Sequence, residues 1–352
     1  MQFEELAKQF ALKNLPESEV ELSGEVPFAV VAPYQKRALT HIAEHLEVAG
    51  FRPGKVPADM ALKKVGEVAV LEEAVELFVK DFYPELILAH KLDAVGRPDI
   101  RVTKLAPENP VGLLVRATVY PEVKVNAGWK TLHTQVVLEP SLPATEEEVQ
   151  KTLEDLQKSR ASQEPTPEGS AKDGPLELPP LDDVFAKSLG AFESLAALQE
   201  QVKKGIGEEK QRVARDARRS KLLEKLLEHT PLSVPRIFIE SELEKIMTQM
   251  REDIERMGMN FEQYLAKVSK TAEGVRGEFR DQATKRAKLQ LILNKLAEEE
   301  KIEPDQKAVE AEMKHALEHF PDAKPGLVRI HIETVLRNEK ILKLLEGEKS
   351  EG

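Results

Sequence analysis

The stretch from Leu181 to the C-terminus repeats apolar residues at helical spacing with few interruptions, which constrains the fold more than any other feature. Aromatic residues make up 5% of the chain and charged residues 32%. This balance suits long amphipathic helices better than a compact, aromatic-rich enzyme core. The pattern predicts helices at Asp182–Leu189, from the cap Ser194 to Leu227, from Pro235 to Ile254, and at Phe261–Val268, Glu273–Glu300, Asp305–Phe320 and Pro325–Leu345. We therefore expect an extended all-α C-terminal domain.

The N-terminal 125 residues mix two periodicities, which predicts an α+β domain. Apolar residues alternate with polar ones in three segments and recur at helical spacing in three others. The predicted strands are Glu19–Val26, Ile100–Lys104 and Gly112–Lys124. The predicted helices are Val30–Val48, Asp59–Val65 and Leu71–His90. Two or three strands would form an antiparallel sheet with helices on one side.

The character of the chain changes near Thr145. The run Thr145-Glu146-Glu147-Glu148 has the spacing of a capping box and predicts a helix to about Ala161. A stretch rich in Pro, Gly, Ser and Glu, without periodicity, follows from Ser162 to Pro180. We expect four parts: 1–125, an α+β domain; 126–161, a linker strand and helix; 162–180, a flexible loop; and 181–352, a helical domain.

Composition narrows the classes of function. The chain has no cysteine, which excludes disulfides, thiolate metal sites and cysteine nucleophiles. The net charge of −11 argues against a broad nucleic-acid surface, and the basic segment 203–225 interleaves its charges as a solvated helix does. No secretory signal or membrane-spanning run is apparent. We expect a cytoplasmic protein with no membrane contact and no sequence-specific nucleic-acid partner.

The loop G-F-R-P-G-K-V-P, residues 50–57, is the most distinctive short segment. Its glycines and prolines predict a turn-rich path, with Phe51, Arg52 and Lys55 close together. An aromatic residue beside arginine is typical of a binding anchor. A solvated turn with Phe51 packed inward is an equally open interpretation. The loop is not a Walker A motif, because its glycines are too close and no Ser or Thr follows Lys55.

Two histidine pairs have i, i+4 spacing. His41 and His45, with Glu44 between them, fit the H-x-x-E-H pattern of some metalloproteases. No third ligand or cleft can be identified from the sequence, so a solvated helix face is the favoured interpretation. His315 and His319 receive the same interpretation. We therefore predict no catalytic residue, no metal and no cofactor.

Four methionines lie within thirteen residues, on and just beyond the predicted helix that starts at Pro235. Methionine is adaptable and is overused on promiscuous binding surfaces, but it also fills cores. We predict a client-binding surface, with core packing as the open alternative, at Met247, Met250, Met257 and Met259.

The loop and several longer stretches resemble one family. G-F-R-P-G-K-V-P resembles the ribosome-docking motif of trigger factor, a bacterial chaperone, and YPELILAHKLDAVGRP, VGLLVRATVYPEVKV, LPATEEEVQKTLEDLQKSRA and LDDVFAKSLGAFESLAALQEQVKKGI are similar to its later segments. The resemblance covers nearly the whole chain in the family's order. It implies docking on a large-subunit protein at the ribosomal exit tunnel through Gly50, Phe51, Arg52, Gly54, Lys55 and Pro57.

The resemblance further implies an ATP-independent chaperone that shields nascent or unfolded polypeptides in a helical cradle. Whether the free protein forms a homodimer stays open. Most members carry an FKBP-type prolyl isomerase domain after the linker helix, whereas only Ser162–Pro180 stands there in this chain. So short a segment cannot build such a domain. Two alternatives remain: an enzyme, either a prolyl isomerase in family name only or a minimal metalloprotease, and a helical adaptor that does not bind ribosomes.

Overall fold

The chain folds into two compact units, each assembled from two separate stretches of sequence. A computed structural model describes residues 3–47, 56–139, 142–163 and 178–348. The first unit joins Met1–Lys124 with Pro231–Ile292, and the second joins Val125–Thr230 with Leu293–Gly352. The four-part functional division expected from the sequence stays a prediction, because compactness alone does not assign function.

The first unit is built on a four-stranded antiparallel sheet with the strand order β1-β2-β4-β3. Its strands are β1 (Ala11–Leu15), β2 (Glu19–Val26), β3 (Ala94–Lys104) and β4 (Val111–Val119). Side chains of a strand alternate between the two faces of a sheet. Val20, Leu22 and Val26 of β2 are accordingly buried, while Glu19 and Glu25 are exposed. The alternation seen in the sequence thus produces one buried and one solvated face.

Helices cover the apolar face of this sheet. They are α1 (Phe3–Ala7), α2 (Phe28–Val31), α3 (Tyr34–His45), α4 (Ala58–Val65) and α5 (Glu67–Ala89). Phe78 and Phe82 of α5 stack with ring centroids 5.0 Å apart, and Phe3 meets both rings edge-on. The ring centroids of Phe10 and Phe82 lie 5.4 Å apart. Several of the chain's few aromatic residues therefore form one core, where their large buried area stabilises the sheet unit.

The remaining elements are helical. They are α6 (Leu132–Gln135), α7 (Glu146–Gln163), α8 (Asp183–Leu189), α9 (Leu195–His229), α10 (Arg236–Arg256), α11 (Phe261–Val268), α12 (Ala272–Glu278), α13 (Arg280–Glu299), α14 (Gln306–His319) and α15 (Pro325–Leu345). The expected fold class, an α+β N-terminal part followed by a long all-α C-terminal part, is confirmed. None of the helices in the described ranges combines the length and the apolar character that crossing a membrane requires.

Two sequence-based strand predictions are wrong. β4 ends at Val119 instead of Lys124, because Pro121 has no N–H to donate to a sheet ladder. The strand expected in the linker 126–161 is absent from its described residues. A 3₁₀ turn, Ala127–Thr131, and the short helix α6 stand there instead. The Asn126 side chain accepts a hydrogen bond from the Gly128 N–H, which caps this turn and ends the extended path.

The return of Pro231–Ile292 to the first unit is visible in specific contacts. The Phe238 ring of α10 meets the Tyr120 ring edge-on, with centroids 5.6 Å apart. Gly96 of β3 has φ +76°, and a Cβ built on it would lie 2.2 Å from Cδ1 of Ile237. The positive φ favours glycine at this position, and a larger residue would also force the end of the Ile237 side chain to move.

In the second unit, α7, α8 and α9 share a small core. Leu153 of α7, Phe185 and Ala186 of α8, and Leu198 of α9 are buried together. The Ser194 side chain accepts a hydrogen bond from the Ala197 N–H, so the predicted cap of α9 is confirmed. Helix α7 runs two residues into the predicted loop Ser162–Pro180, whose residues 164–177 lie outside the described residues. The helices on either side of those residues, α7 and α8, are thus packed into a single cluster.

The capping box at Thr145 is confirmed and is tied to α9. The Thr145 N–H donates to Oε2 of Glu148 over 2.8 Å, and the Glu148 N–H donates to the Thr145 hydroxyl over 3.3 Å. Lys210 Nζ donates to the same Oε2 over 2.7 Å and to the Pro143 carbonyl over 3.2 Å. The hydrogen bond from Lys210, followed by the bond from the Thr145 N–H, lowers the pKa of Glu148 from 4.5 to about 2.

We expect this carboxylate to make stability depend on pH. Because the folded-state pKa of Glu148 lies below the unfolded one, its contribution is complete above pH 4.5 and is lost as the pH falls toward 2. Glu148→Gln should therefore be destabilised relative to wild type at pH 6 and match it near pH 2, and salt should reduce the difference, since the pair is partly exposed. Urea unfolding, monitored by circular dichroism, measures how the free energy of unfolding depends on pH and on salt. Glu147→Gln is the matched control, and an equal loss in that variant would contradict the assignment.

Candidate functional site

The connection between α3 and α4 carries the docking loop predicted from the sequence. Gly50, Phe51, Arg52, Gly54 and Lys55 lie outside the described residues. Pro57, the sixth predicted residue, is the N-cap of α4, and its carbonyl accepts hydrogen bonds from the N–H groups of the helix's first turn. The structure therefore describes the residues that flank the loop on both sides.

These flanking residues are held together by apolar packing. Ala43, Val56 and Ala61 form a buried cluster, and Leu39 and Leu46 pack against it. The cluster joins the end of α3, the residue that precedes Pro57 and the middle of α4. The ends of the chain on either side of residues 48–55 are thus anchored to one another.

Polar contacts add to this anchoring. Lys64 Nζ of α4 donates a hydrogen bond to the Glu47 carbonyl, which lies just beyond α3. Lys63 and Lys64 occupy the last turn of α4, where positive charge complements the helix dipole. A positively charged α4 therefore lies directly after the predicted docking residues.

Side-chain hydrogen bonds join helix α3 to α5. Tyr34 Oη and Arg37 Nη1 both donate to Oδ2 of Asp81, each over 3.1 Å. One turn further, His41 Nδ1 lies 2.8 Å from Oε1 of Glu73. Burial, with the hydrogen bond to Asp81, raises the pKa of the Tyr34 phenol, so it stays protonated and acts as a donor. Helix α3, which precedes the loop in sequence, is consequently tied to α5, the 23-residue helix of the first unit.

The four predicted client-binding methionines do not share one environment. Met247 is only 2% exposed, whereas Met257, just after α10, is 65% exposed. Met250 and Met259 are half-buried. Met247 cannot contact a client without local opening, so its position agrees with the alternative of core packing. A client-binding role for the other three stays a prediction.

The structure exposes apolar residues that the sequence reasoning did not single out. Helices α14 and α15 pack against each other as a hairpin, and Val309 of α14 and Ile332 of α15 are buried. Phe320, the C-cap of α14, and Leu327 and Ile330, in the first two turns of α15, are each more than 60% exposed. We call these three residues the hairpin patch. The sequence did not single these residues out, because apolar residues at i and i+3 have the same spacing whether that helix face is buried or exposed.

The hairpin is held in place by side-chain hydrogen bonds. Arg329 Nη2 donates to Oε1 of Gln306 over 2.8 Å, which joins the start of α15 to the start of α14. Lys340 Nζ donates to the Glu303 carbonyl over 2.9 Å. The hairpin patch therefore sits on a defined scaffold within the second unit.

A second exposed apolar segment follows α6. Val137 is 80% exposed and Leu142 is 75% exposed. Arg218 of α9 donates from Nε to the Val136 carbonyl over 3.0 Å, so the start of this segment is bound to the long helix. Exposed apolar residues that form a patch are typical of protein-binding surfaces.

Within the described ranges, the H-x-x-E-H pattern lacks the third ligand of a catalytic metal site. His41 and His45 are exposed on the last turn of α3, with ring centroids 4.8 Å apart. Catalytic zinc sites have three protein ligands. Among the residues that the structure describes, no group of three His, Cys, Asp or Glu side chains is placed to hold a metal ion. The described residues thus supply no support for the metalloprotease alternative.

Two family models match the chain in sequence order. Residues 8–156 match the model described as bacterial trigger factor protein, and residues 194–345 match the model of the trigger factor C-terminus. Together the two matches span most of the sequence, including the α3–α4 connection and the α14–α15 hairpin.

Curated relatives agree with the family models. The trigger factor of Caldicellulosiruptor bescii is 24% identical over 77% of this chain and 79% of its own length. That of Streptomyces coelicolor is 25% identical over 84% of this chain and 79% of its own length. That of Moorella thermoacetica is 22% identical, with 95% of this chain and 92% of the relative aligned.

A solved structure supports the same fold. It comes from a study of promiscuous substrate recognition by the trigger factor chaperone, and it covers 96% of this chain and 99% of its own, with a TM-score of 0.54 and 20% identity. The two units therefore have the fold of a trigger factor chaperone. With the two family-model matches and the curated relatives, the chain belongs to the trigger factor family.

The comparisons also locate the shortened part of the chain. Only residues 157–193 lie between the two matched stretches. Within them, Gln157 Nε2 of α7 donates to the Pro179 carbonyl over 2.6 Å, so residues on either side of positions 164–177 are in direct contact. This agrees with a short form of the family that lacks an FKBP-type domain after the linker helix.

Proposed function

We propose that this protein is an ATP-independent, cytoplasmic chaperone that docks beside the ribosomal exit tunnel and shields nascent polypeptides on apolar surfaces of its helical part. The observation that carries the proposal is the motif G-F-R-P-G-K-V-P between α3 and α4 in a chain of the trigger factor family. Phe51 fills an apolar depression on a large-subunit protein, and Arg52 and Lys55 pair with acidic groups there.

Anchored flanking residues support this role for the loop. Docking through a few side chains is stronger when the binding segment loses little conformational entropy on association. The cluster of Ala43, Val56 and Ala61 and the bond from Lys64 to Glu47 fix both ends of the segment before it binds. Ribosome co-sedimentation of wild type and of a variant lacking Phe51, Arg52 and Lys55 tests this half of the proposal.

Exposed apolar residues support the client-binding half. The hairpin patch and the exposed residues Val137 and Leu142 offer apolar surface. Each buried methylene contributes only about 0.8 kcal/mol, so a few such contacts hold an unfolded segment weakly and release it quickly. Release then requires no nucleotide hydrolysis and follows when the client buries the same residues in its own core.

We expect no prolyl isomerase activity from the purified chain. An FKBP-type isomerase needs an enclosed apolar proline pocket, and residues 162–180 are too few to build a domain around one. A proline-containing tetrapeptide assay, with an FKBP-type enzyme as the positive control, should give the uncatalysed rate of cis–trans isomerisation. A rate several-fold above background that persists after repurification would contradict the non-enzymatic proposal.

A further inference from the structure

The last turn of α3 presents two histidine rings on one exposed face. His41 and His45 are neighbours at i and i+4, with ring centroids 4.8 Å apart and planes inclined by 59°. The His41 side chain is 51% exposed. The docking and client-binding surfaces do not use either ring, so this pair needs an explanation of its own.

Hydrogen bonds fix the tautomer of both rings. His41 Nδ1 lies 2.8 Å from Oε1 of Glu73 on α5, and His45 Nδ1 lies 2.9 Å from the His41 carbonyl. An ionised carboxylate and a carbonyl can only accept hydrogen bonds, so each Nδ1 must carry the proton. In the neutral ring, each Nε2 is then left with its lone pair free.

This arrangement is the one that metal-binding histidines adopt. Their second ring nitrogen almost always donates to a carboxylate or a backbone carbonyl, which sets the tautomer and orients the ring. Here Glu73 plays that part for His41, and the His41 carbonyl plays it for His45. Imidazole nitrogens favour Ni²⁺, Cu²⁺ and Zn²⁺ over Mg²⁺ or Ca²⁺.

We propose that Nε2 of His41 and Nε2 of His45 form a two-point surface site for a divalent transition-metal ion. Water, or a side chain of a docked partner, completes the coordination, since the described residues hold no cluster of three ligands. Because His45 is the last residue of α3, an ion bridging the two rings cross-links the final helical turn before residues 48–55. The ion thereby stabilises the end of the helix that leads into the loop.

The chain contains its own comparison pair. His315 and His319 of α14 have the same spacing, with ring centroids 4.5 Å apart. His319 Nδ1 lies 3.0 Å from the His315 carbonyl, but no hydrogen bond to the His315 ring is found within the described part of the chain. Because no hydrogen bond among the described residues sets the tautomer of His315, we expect this pair to bind the same ion more weakly.

Calorimetric titration of the full chain with NiCl₂, in a buffer that does not bind metals, tests the site. His41→Gln and His45→Gln should each weaken the tightest binding event at least about tenfold, and Glu73→Gln should weaken it by about tenfold, as outer-shell changes do. His315→Gln/His319→Gln should leave it unchanged. Far-UV circular dichroism confirms that each variant is folded.

Electron paramagnetic resonance of one equivalent of bound Cu²⁺ supplies an independent readout. Wild type should show two coordinated imidazole nitrogens, and His41→Gln should show one. Unaltered Ni²⁺ affinity in His41→Gln/His45→Gln would overturn the proposal. So would a spectrum with two nitrogens that disappears only in the His315→Gln/His319→Gln variant.

Discussion

Replacing Phe51, Arg52 and Lys55 together with alanine should abolish co-sedimentation with ribosomes. A buried aromatic ring is worth about 1.5–3 kcal/mol, and each hydrogen bond to a charged group is worth about 1.5–3 kcal/mol. Even the lower ends of these ranges sum to more than about 4 kcal/mol, which is roughly a thousandfold in Kd. Co-sedimentation of purified protein with empty 70S ribosomes, over a range of protein concentrations, measures the change.

A matched control distinguishes the loss of the loop motif from a general loss of positive charge and apolar surface. Met60→Ala/Lys63→Ala/Lys80→Ala removes one exposed apolar side chain and two positive charges from α4 and α5. We expect this control to keep most of the ribosome binding and to melt close to wild type, since such surface changes usually alter stability by less than about 0.5 kcal/mol each. If wild type and the Phe51→Ala/Arg52→Ala/Lys55→Ala variant sediment equally with ribosomes, the result would support a helical adaptor that does not bind ribosomes.

Polar substitution of the hairpin patch is expected to weaken client binding without unfolding the protein. Phe320, Leu327 and Ile330 are each more than 60% exposed, so serine at these positions removes little buried surface from the native state. If a client covers about half of each exposed side chain, each contact contributes about 1 kcal/mol. Loss of all three should raise the Kd for an unfolded client at least about tenfold.

Fluorescence anisotropy with a labelled, permanently unfolded polypeptide measures this affinity. Met60→Ser/Val68→Ser/Leu88→Ser is the matched control, because it removes three exposed apolar side chains from the first unit. The hairpin variant should still sediment with ribosomes, whereas the loop variant should still bind the client. Equal client affinity in wild type and the hairpin variant would exclude the patch as a client-binding surface.

Local features of the fold were predictable from the sequence. A hydroxyl and a carboxylate three residues apart, on Thr145 and Glu148, predicted the start of α7, and Ser194 predicted the start of α9. A cap depends only on side chains within one helical turn of it, so neighbouring residues are sufficient to specify it. The edge strand β1 was missed, because its residues Ala11–Asn14 are exposed and carry no alternation of apolar and polar positions.

The candidate site was predictable only in part. The predicted docking motif is a contiguous stretch of sequence, and its resemblance to the family motif was recognisable without knowledge of packing. Its anchoring was not, because Val56 meets Ala43 only once α3 and α4 are placed against each other. The same holds for the histidine pair. The i, i+4 spacing is local, but Glu73, which fixes the His41 ring, lies on α5, 32 residues away.

Residues only a few positions apart were sufficient to predict the caps of α7 and α9, the strand β2 and the loop that resembles a docking motif. Packing between distant parts of the chain determines that Pro231–Ile292 joins the N-terminal stretch. It also determines that Met247 is buried and that Phe320 is exposed. Those outcomes depend on which apolar faces find partners far away along the chain. A core stripe and a client-binding stripe have the same periodicity, and only the presence of a packing partner distinguishes them.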